Sequence, residues 1–270
     1  MHAPINMPAI QLARLKIKSS HLAKSFINPP AFITELHQML DFYADRTHRP
    51  GQAGEPPPLV QAYHVPQPVL KQILSELKPI IITDPEGALA LSDQLWKQSN
   101  MECRLLTASI LGTLPITFST EVIKRIQMWI NGESVIKLIE ALLNQGLSKL
   151  RQEDLEQYIH LVEEWLSNKN PHAQTTGLRA LIAILNEPWF DNLPIIYRLV
   201  TPLVRIAPSR LRPDLIDVLL ILVQRYPQET AYFLRQNLNT PDNPDTPWVI
   251  RQILDAFPPG QQQILKGALH

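Results

Sequence analysis

The chain has 270 residues, with 25 Lys and Arg against 25 Asp and Glu, so its formal net charge is zero. Such balance excludes a strongly basic, nonspecific nucleic-acid binder, whose affinity comes from counterion release, but it leaves room for a local basic stripe. At 45% hydrophobic residues, with 25 Pro and only 9 Gly, the chain can bury a core and breaks its elements with stiff turns.

In chain order, apolar residues recurring at three and four predict helices over residues 8–25, 31–45, 67–81, 86–98, 100–113, 120–130 and 133–145. The pattern continues over 152–167, 172–186, 192–206, 213–225, 228–238, 247–256 and 260–268. The N-terminal stretch MHAPINMPAIQLARLKIKSS lacks the apolar core of a signal peptide, and no run approaches a membrane span, so a cytoplasmic location is expected. Residues 46–66 form the one long break, a Pro-rich and locally basic connector between the helices of 1–45 and the array of 67–270. It reads either as a strap around the array or as an arm that touches phosphates. Asp84-Pro85, Ser119-Thr120-Glu121 and Asn170-Pro171 read as helix starts, two of them with Pro at the first helical position. The single cysteine, Cys103, excludes a disulfide framework and reads as a small buried hydrophobe. The eight histidines show no ligand spacing, so no metal and no small-molecule cofactor is expected.

Helix pairs return at intervals of roughly 35 to 45 residues, the range of HEAT-type repeats. So many short-linked helices exceed one bundle core. The expected fold is therefore all-α, a right-handed α-solenoid of degenerate HEAT-like repeats continuous with the N-terminal helices.

Several segments, in their order, carry a resemblance. YHVPQPVLKQI enters a helix with Val65, Pro66, Pro68, Leu70 and Lys71, and LWKQSNMECRLLTASILG follows with Leu95, Trp96, Glu102 and Arg104. VEEWLSNKNPHAQ supplies Trp165, Ser167 and Asn170, and YPQETAYFLRQNL closes the series. This order resembles the HEAT-like repeat DNA alkylation repair family of DNA glycosylases. The resemblance implies base excision of N3- or N7-alkylated purines from duplex DNA held in a concave groove. Such bases are cationic, so a carboxylate that steadies the developing oxocarbenium charge or orients a water suffices. The family's acid stands in a W-D-x-V-D-x-L/I helix, and the counterpart here runs Ile136-Lys137-Leu138-Ile139-Glu140-Ala141-Leu142. Glu140 takes the acid's place, and Ile136 stands where the family has an aromatic. The family has an Arg-Arg pair shortly after the Asn-led turn; here the turn reads Asn170-Pro171-His172-Ala173-Gln174-Thr175, without a guanidinium, and a later Trp near Asp217 to Leu220 is missing.

Each candidate residue carries two readings. Glu140 is the catalytic carboxylate by resemblance; by spacing it is surface charge that shares a helix face with Glu133 and Lys137. Arg198, Arg205, Arg210 and Arg212, extended by Arg179, form either a phosphate-contacting stripe or a solvated face. Trp189, in the turn Glu187-Pro188-Trp189-Phe190, is the aromatic most exposed for a DNA contact; the others read as packing residues. Arg104 and Glu102 read as an ion pair between repeats. The partner implied is double-stranded DNA. The alternative is a catalytically inactive scaffold for protein partners.

Overall fold

In the computed structural model the described residues are 11–45 and 60–269. Most of the Pro-rich connector, 46–59, and the start of the first predicted helix, 8–10, lie outside them. Among the described residues no strand forms, apart from one isolated bridge between Gln61 and Asn100. No single helix there is long and apolar enough to cross a membrane.

Two compact units divide the chain, Met1–Asp154 and Leu155–His270. In the first, α1 (Leu12–Lys24), α3 (Gln67–Thr83), α5 (Met101–Leu111) and α7 (Ile136–Ala141) pack on one another in that order. Alongside them lie α2 (Pro29–Phe42), α4 (Pro85–Trp96) and α6 (Ser119–Asn131), and α2 packs on α4. A short α8 (Ser148–Glu153) ends the unit. The second unit repeats the scheme. Here α9 (Leu155–Ser167) pairs with α10 (Pro171–Leu185), and α12 (Arg212–Arg225) packs between α10 and α14 (Thr246–Ile253). Then α11 (Leu193–Arg205) packs on α13 (Pro227–Leu238), and α13 on α15 (Pro259–Ala268). Within each unit, helices two apart in the chain thus pack on one another, as helical repeats do. This is an all-α helical repeat fold.

Local chemistry explains most of the helix ends. The Asp84 carboxylate accepts the Gly87 N–H at the start of α4, and the Asn170 amide oxygen accepts the His172 N–H at the start of α10. Asn100, nearly buried, caps α5 by accepting from both Glu102 and Cys103. Ser119 makes no such cap. It is already helical, because a 3-10 turn over Ile116–Phe118 leads directly into α6.

The predicted helix 133–145 is shorter than its apolar spacing suggests. It starts at Ile136 and widens into a π turn over Leu142–Gly146. Glu133 stays outside because its carboxylate accepts the N–H groups of Ser134 and Val135. The π turn follows from a buried cation, since Arg151 of α8 donates to the carbonyls of Leu143 and Asn144. It also presses on α5, where a Cβ at Gly112 would collide with the carbonyl oxygen of Gln145.

Residues after the connector are strapped to α5. Met101 N–H donates to the Gln61 carbonyl, and the buried Glu102 carboxylate accepts from the backbone N–H groups of Tyr63 and His64. His64 adopts a left-handed φ of 55°, a strained conformation for a non-glycine residue that these charge-assisted bonds hold in place.

Cys103 is fully buried, and burial, with the Glu102 carboxylate adding to it, pushes its thiol up to about 12. The thiolate is the reactive form. Native protein at pH 8 should therefore react negligibly with a disulfide reagent and take up one equivalent in denaturant. Rapid native labelling would mean that α5 is not packed as described.

Candidate functional site

The segment carrying Glu140 is built at a junction of three helices in the first unit. Arg104, on α5, donates through Nε to the carbonyls of Trp96 and Gln98 at the end of α4. Its Nη1 lies 2.7 Å from Glu133 Oε2. The other Glu133 oxygen caps the approach to α7. One guanidinium and one carboxylate therefore fix where α4 ends, where α5 lies and where α7 begins. Trp96 stacks on Trp129 with centroids 4.7 Å apart, and the Arg104 guanidinium lies 5.3 Å from the Trp96 ring. The aromatic residues here pack helices.

This geometry corrects two expectations. Arg104 pairs with Glu133, while Glu102 holds backbone N–H groups instead. Glu133 is also no member of a solvated row with Lys137 and Glu140, because it is 8% exposed and bound at both oxygens. On α7 itself Leu138 and Ile139 face the core, whereas Ile136, Lys137 and Glu140 are exposed.

In the second unit the arginines of the predicted stripe have defined places. Arg179 on α10 pairs with Asp214 of α12 at 2.8 Å, with both side chains largely buried. Arg198 on α11 pairs with Glu163 of α9 at 2.6 Å in an exposed position. That hydrogen bond lowers the Glu163 carboxyl below its usual range and raises the Arg198 guanidinium. Arg205 donates to the Asn237 amide oxygen of α13. Arg212 donates to the Ala207 carbonyl and to Asp245, and it lies 4.2 Å from the Trp248 ring centroid. Arg210 is exposed and makes no side-chain hydrogen bond or ion pair among the described residues. Trp189 is 47% exposed, edge-on to the buried Phe190. At the Asn170 turn, Gln174 caps α9 by donating to the Leu166 carbonyl.

A pattern that sequence reasoning missed runs through these pairs. Arg125 of α6 pairs with Asp93 of α4, 32 residues away; Arg179 with Asp214, 35 away; Arg198 with Glu163, 35 away. Arg205 with Asn237 and Arg212 with Asp245 are separated by 32 and 33 residues. The separation is close to one repeat, so each pair ties a helix to the helix two along. An acid or amide one repeat away from each arginine was the available signal. Among the described residues no group of three His, Cys, Asp or Glu side chains could hold a metal ion.

Removing one partner of a buried pair leaves the other charge uncompensated. Glu133→Ala should therefore lower unfolding stability by about 3–5 kcal/mol in urea titration. Arg198→Ala breaks an exposed pair and should leave the urea midpoint nearly unchanged.

The family model described as DNA alkylation repair enzyme matches residues 58–204, which is more than half of the chain. A crystal structure of smu.31 from Streptococcus mutans UA159 is similar in fold. It is 14% identical, with a TM-score of 0.50 over 67% of this chain and 96% of that one. None of the curated proteins compared with the chain matches it. The matched span takes in the α5–α7 junction and runs through nearly all of α11, and by it the chain belongs to the DNA alkylation repair enzyme family.

Proposed function

We propose that the protein binds duplex DNA carrying N3- or N7-alkylated purines and hydrolyses the N-glycosidic bond of the damaged nucleotide. The observation that carries this reading is the placement of Glu140. It lies on α7 within the family-matched segment, one turn after Ile136, and its side chain is exposed. Alkylation leaves the purine cationic, so the bond to C1′ breaks with its electrons passing to the base, which departs neutral. The sugar becomes an oxocarbenium ion. A carboxylate facing C1′ stabilises that charge and takes the proton of the water whose oxygen adds to C1′. Arg198, Arg210 and Trp189, all exposed, contact the DNA, with phosphate displacing Glu163 from Arg198. Arg179, Arg205 and Arg212 hold the helices that present them.

A second reading is a catalytically inactive scaffold for protein partners. It is favoured by the zero net charge and by the internal acceptors that Arg179, Arg198, Arg205 and Arg212 already have.

The deciding measurement is release of methylated purine from alkylated duplex under excess protein, with Glu140→Gln alongside. Wild type should release base, and the variant should be slower by about 100-fold or more, a typical loss for a removed electrostatic stabiliser. An exposed substitution should keep the fold within about 0.5 kcal/mol. Equal rates would remove Glu140 from the chemistry. No release by wild type would leave the scaffold reading.

A further inference from the structure

We propose that the side-chain amide of Gln145 is a further contact to the damaged strand, donating its NH2 to a phosphate oxygen within about two nucleotides of the alkylated base. The inference rests on the DNA-binding part of the reading above and adds a neutral donor to the cations named there. Gln145 belongs to the π turn that follows α7, five residues after Glu140.

What marks this residue is how it is held. Ser109 on α5 donates to Gln145 Oε1 at 2.7 Å; the Leu105 carbonyl, at 3.1 Å, is the more distant acceptor for the same hydroxyl. The backbone is fixed as well, because the Gln145 carbonyl accepts from Ser148 Oγ at 2.7 Å and lies against Gly112, where any Cβ would collide with it. The side chain is exposed, and among the described residues nothing accepts from its Nε2. Other amides of the chain differ. Gln72, Gln98, Gln174, Asn237, Asn243 and Gln262 each spend their NH2 on a carbonyl or carboxylate oxygen of the fold. An amide whose oxygen is tied across two helices presents its N–H donors in a set direction, with little rotamer freedom left to lose on binding.

The place suits a strand backbone. Residues five apart in an α-helix stand roughly 140° apart around its axis. The π turn, closed by the Leu147 N–H on the Leu142 carbonyl, advances less per residue and so brings Gln145 round toward the side of Glu140. Along the axis the two lie about 7.5 Å apart at 1.5 Å per residue, or roughly two nucleotides of one strand at 3.4 Å each. A carboxylate facing C1′ therefore leaves the amide level with a nearby phosphodiester. The charged groups around it are Lys137 and Glu140 on α7 and, on α8, Lys149 and Glu153, which pair with each other. A guanidinium at this place would pair with Glu140 itself, whereas a neutral amide donates to phosphate without drawing the carboxylate away.

The test is binding of the full-length protein to a duplex containing a tetrahydrofuran abasic analogue, with Gln145→Ala and Gln145→Glu alongside. Gln145→Glu keeps the side-chain shape and an oxygen for Ser109 while removing the donor, so it covers the case in which Gln145→Ala disturbs the π turn. Both should weaken binding about tenfold or more, the loss of a hydrogen bond to a charged group. Because Gln145→Ala removes no cation, its slope of log K against log salt should match that of wild type. Methylphosphonates are then placed singly at the phosphates within about two nucleotides of the analogue. At one of them wild type should lose affinity and Gln145→Ala should lose about tenfold less, a coupling that a purely structural glutamine does not give. Equal affinities of variants and wild type, or losses that simply add at every phosphate, would overturn the role of Gln145 and leave duplex binding standing. Failure of wild type to bind the duplex would overturn this role together with the DNA-binding part of the reading above.

Discussion

An arginine that reaches across one repeat to a carboxylate or amide is the interaction on which this structure depends. Hydrophobic burial drives the helices together, but apolar contact between two ridged surfaces tolerates sliding. A guanidinium with a fixed fork does not. Arg125 to Asp93, Arg179 to Asp214, Arg205 to Asn237 and Arg212 to Asp245 each set how one helix lies against the helix two along. Their worth varies with exposure. The Arg179 pair is largely removed from water and strict in its demands, whereas the Arg198 pair is solvated and contributes specificity of position more than stability.

The same logic acts at closer range around α7. Glu133 lies outside the helix, and by accepting two backbone N–H groups while holding Arg104 it turns a loop residue into the anchor of the segment that displays Glu140. One turn beyond Glu140, Arg151 draws the carbonyls of Leu143 and Asn144 out of α-helical register and produces the π turn. The exposed face of α7 is thus held at both ends by buried charge, the kind of support a catalytic side chain needs if small displacements are to matter.

The distribution of cations links fold and function. Several arginines find acceptors inside the fold, whereas Lys71, Lys97, Lys124 and Lys137 make no ion pair among the described residues. In the second unit Arg210 is exposed with no side-chain partner among the described residues, and Arg198 is exposed beside Glu163. Net charge alone therefore understates how much phosphate the surface could meet.

Helices, caps and class were legible in the sequence because they depend on residues within one turn. The spacing of three and four marks each buried stripe, Asp84 and Asn170 cap helices they immediately precede, and the apolar surroundings of Cys103 announce its burial. The family resemblance was also legible, since it rests on ordered short segments, and it placed Glu140 on α7. The partners of the arginines were not legible. A run of Arg198, Arg205, Arg210 and Arg212 looks like a stripe when only its own helices are considered, yet each acceptor outside that run lies about one repeat away. The shortened α7 and its π turn were hidden for the same reason. Glu133 and Arg151 override an apolar period that by itself continues, and only packing shows which charge is buried. Local periodicity determined the elements; pairing at a distance of about 35 residues, set by the stacking of repeats, was decided by the tertiary structure.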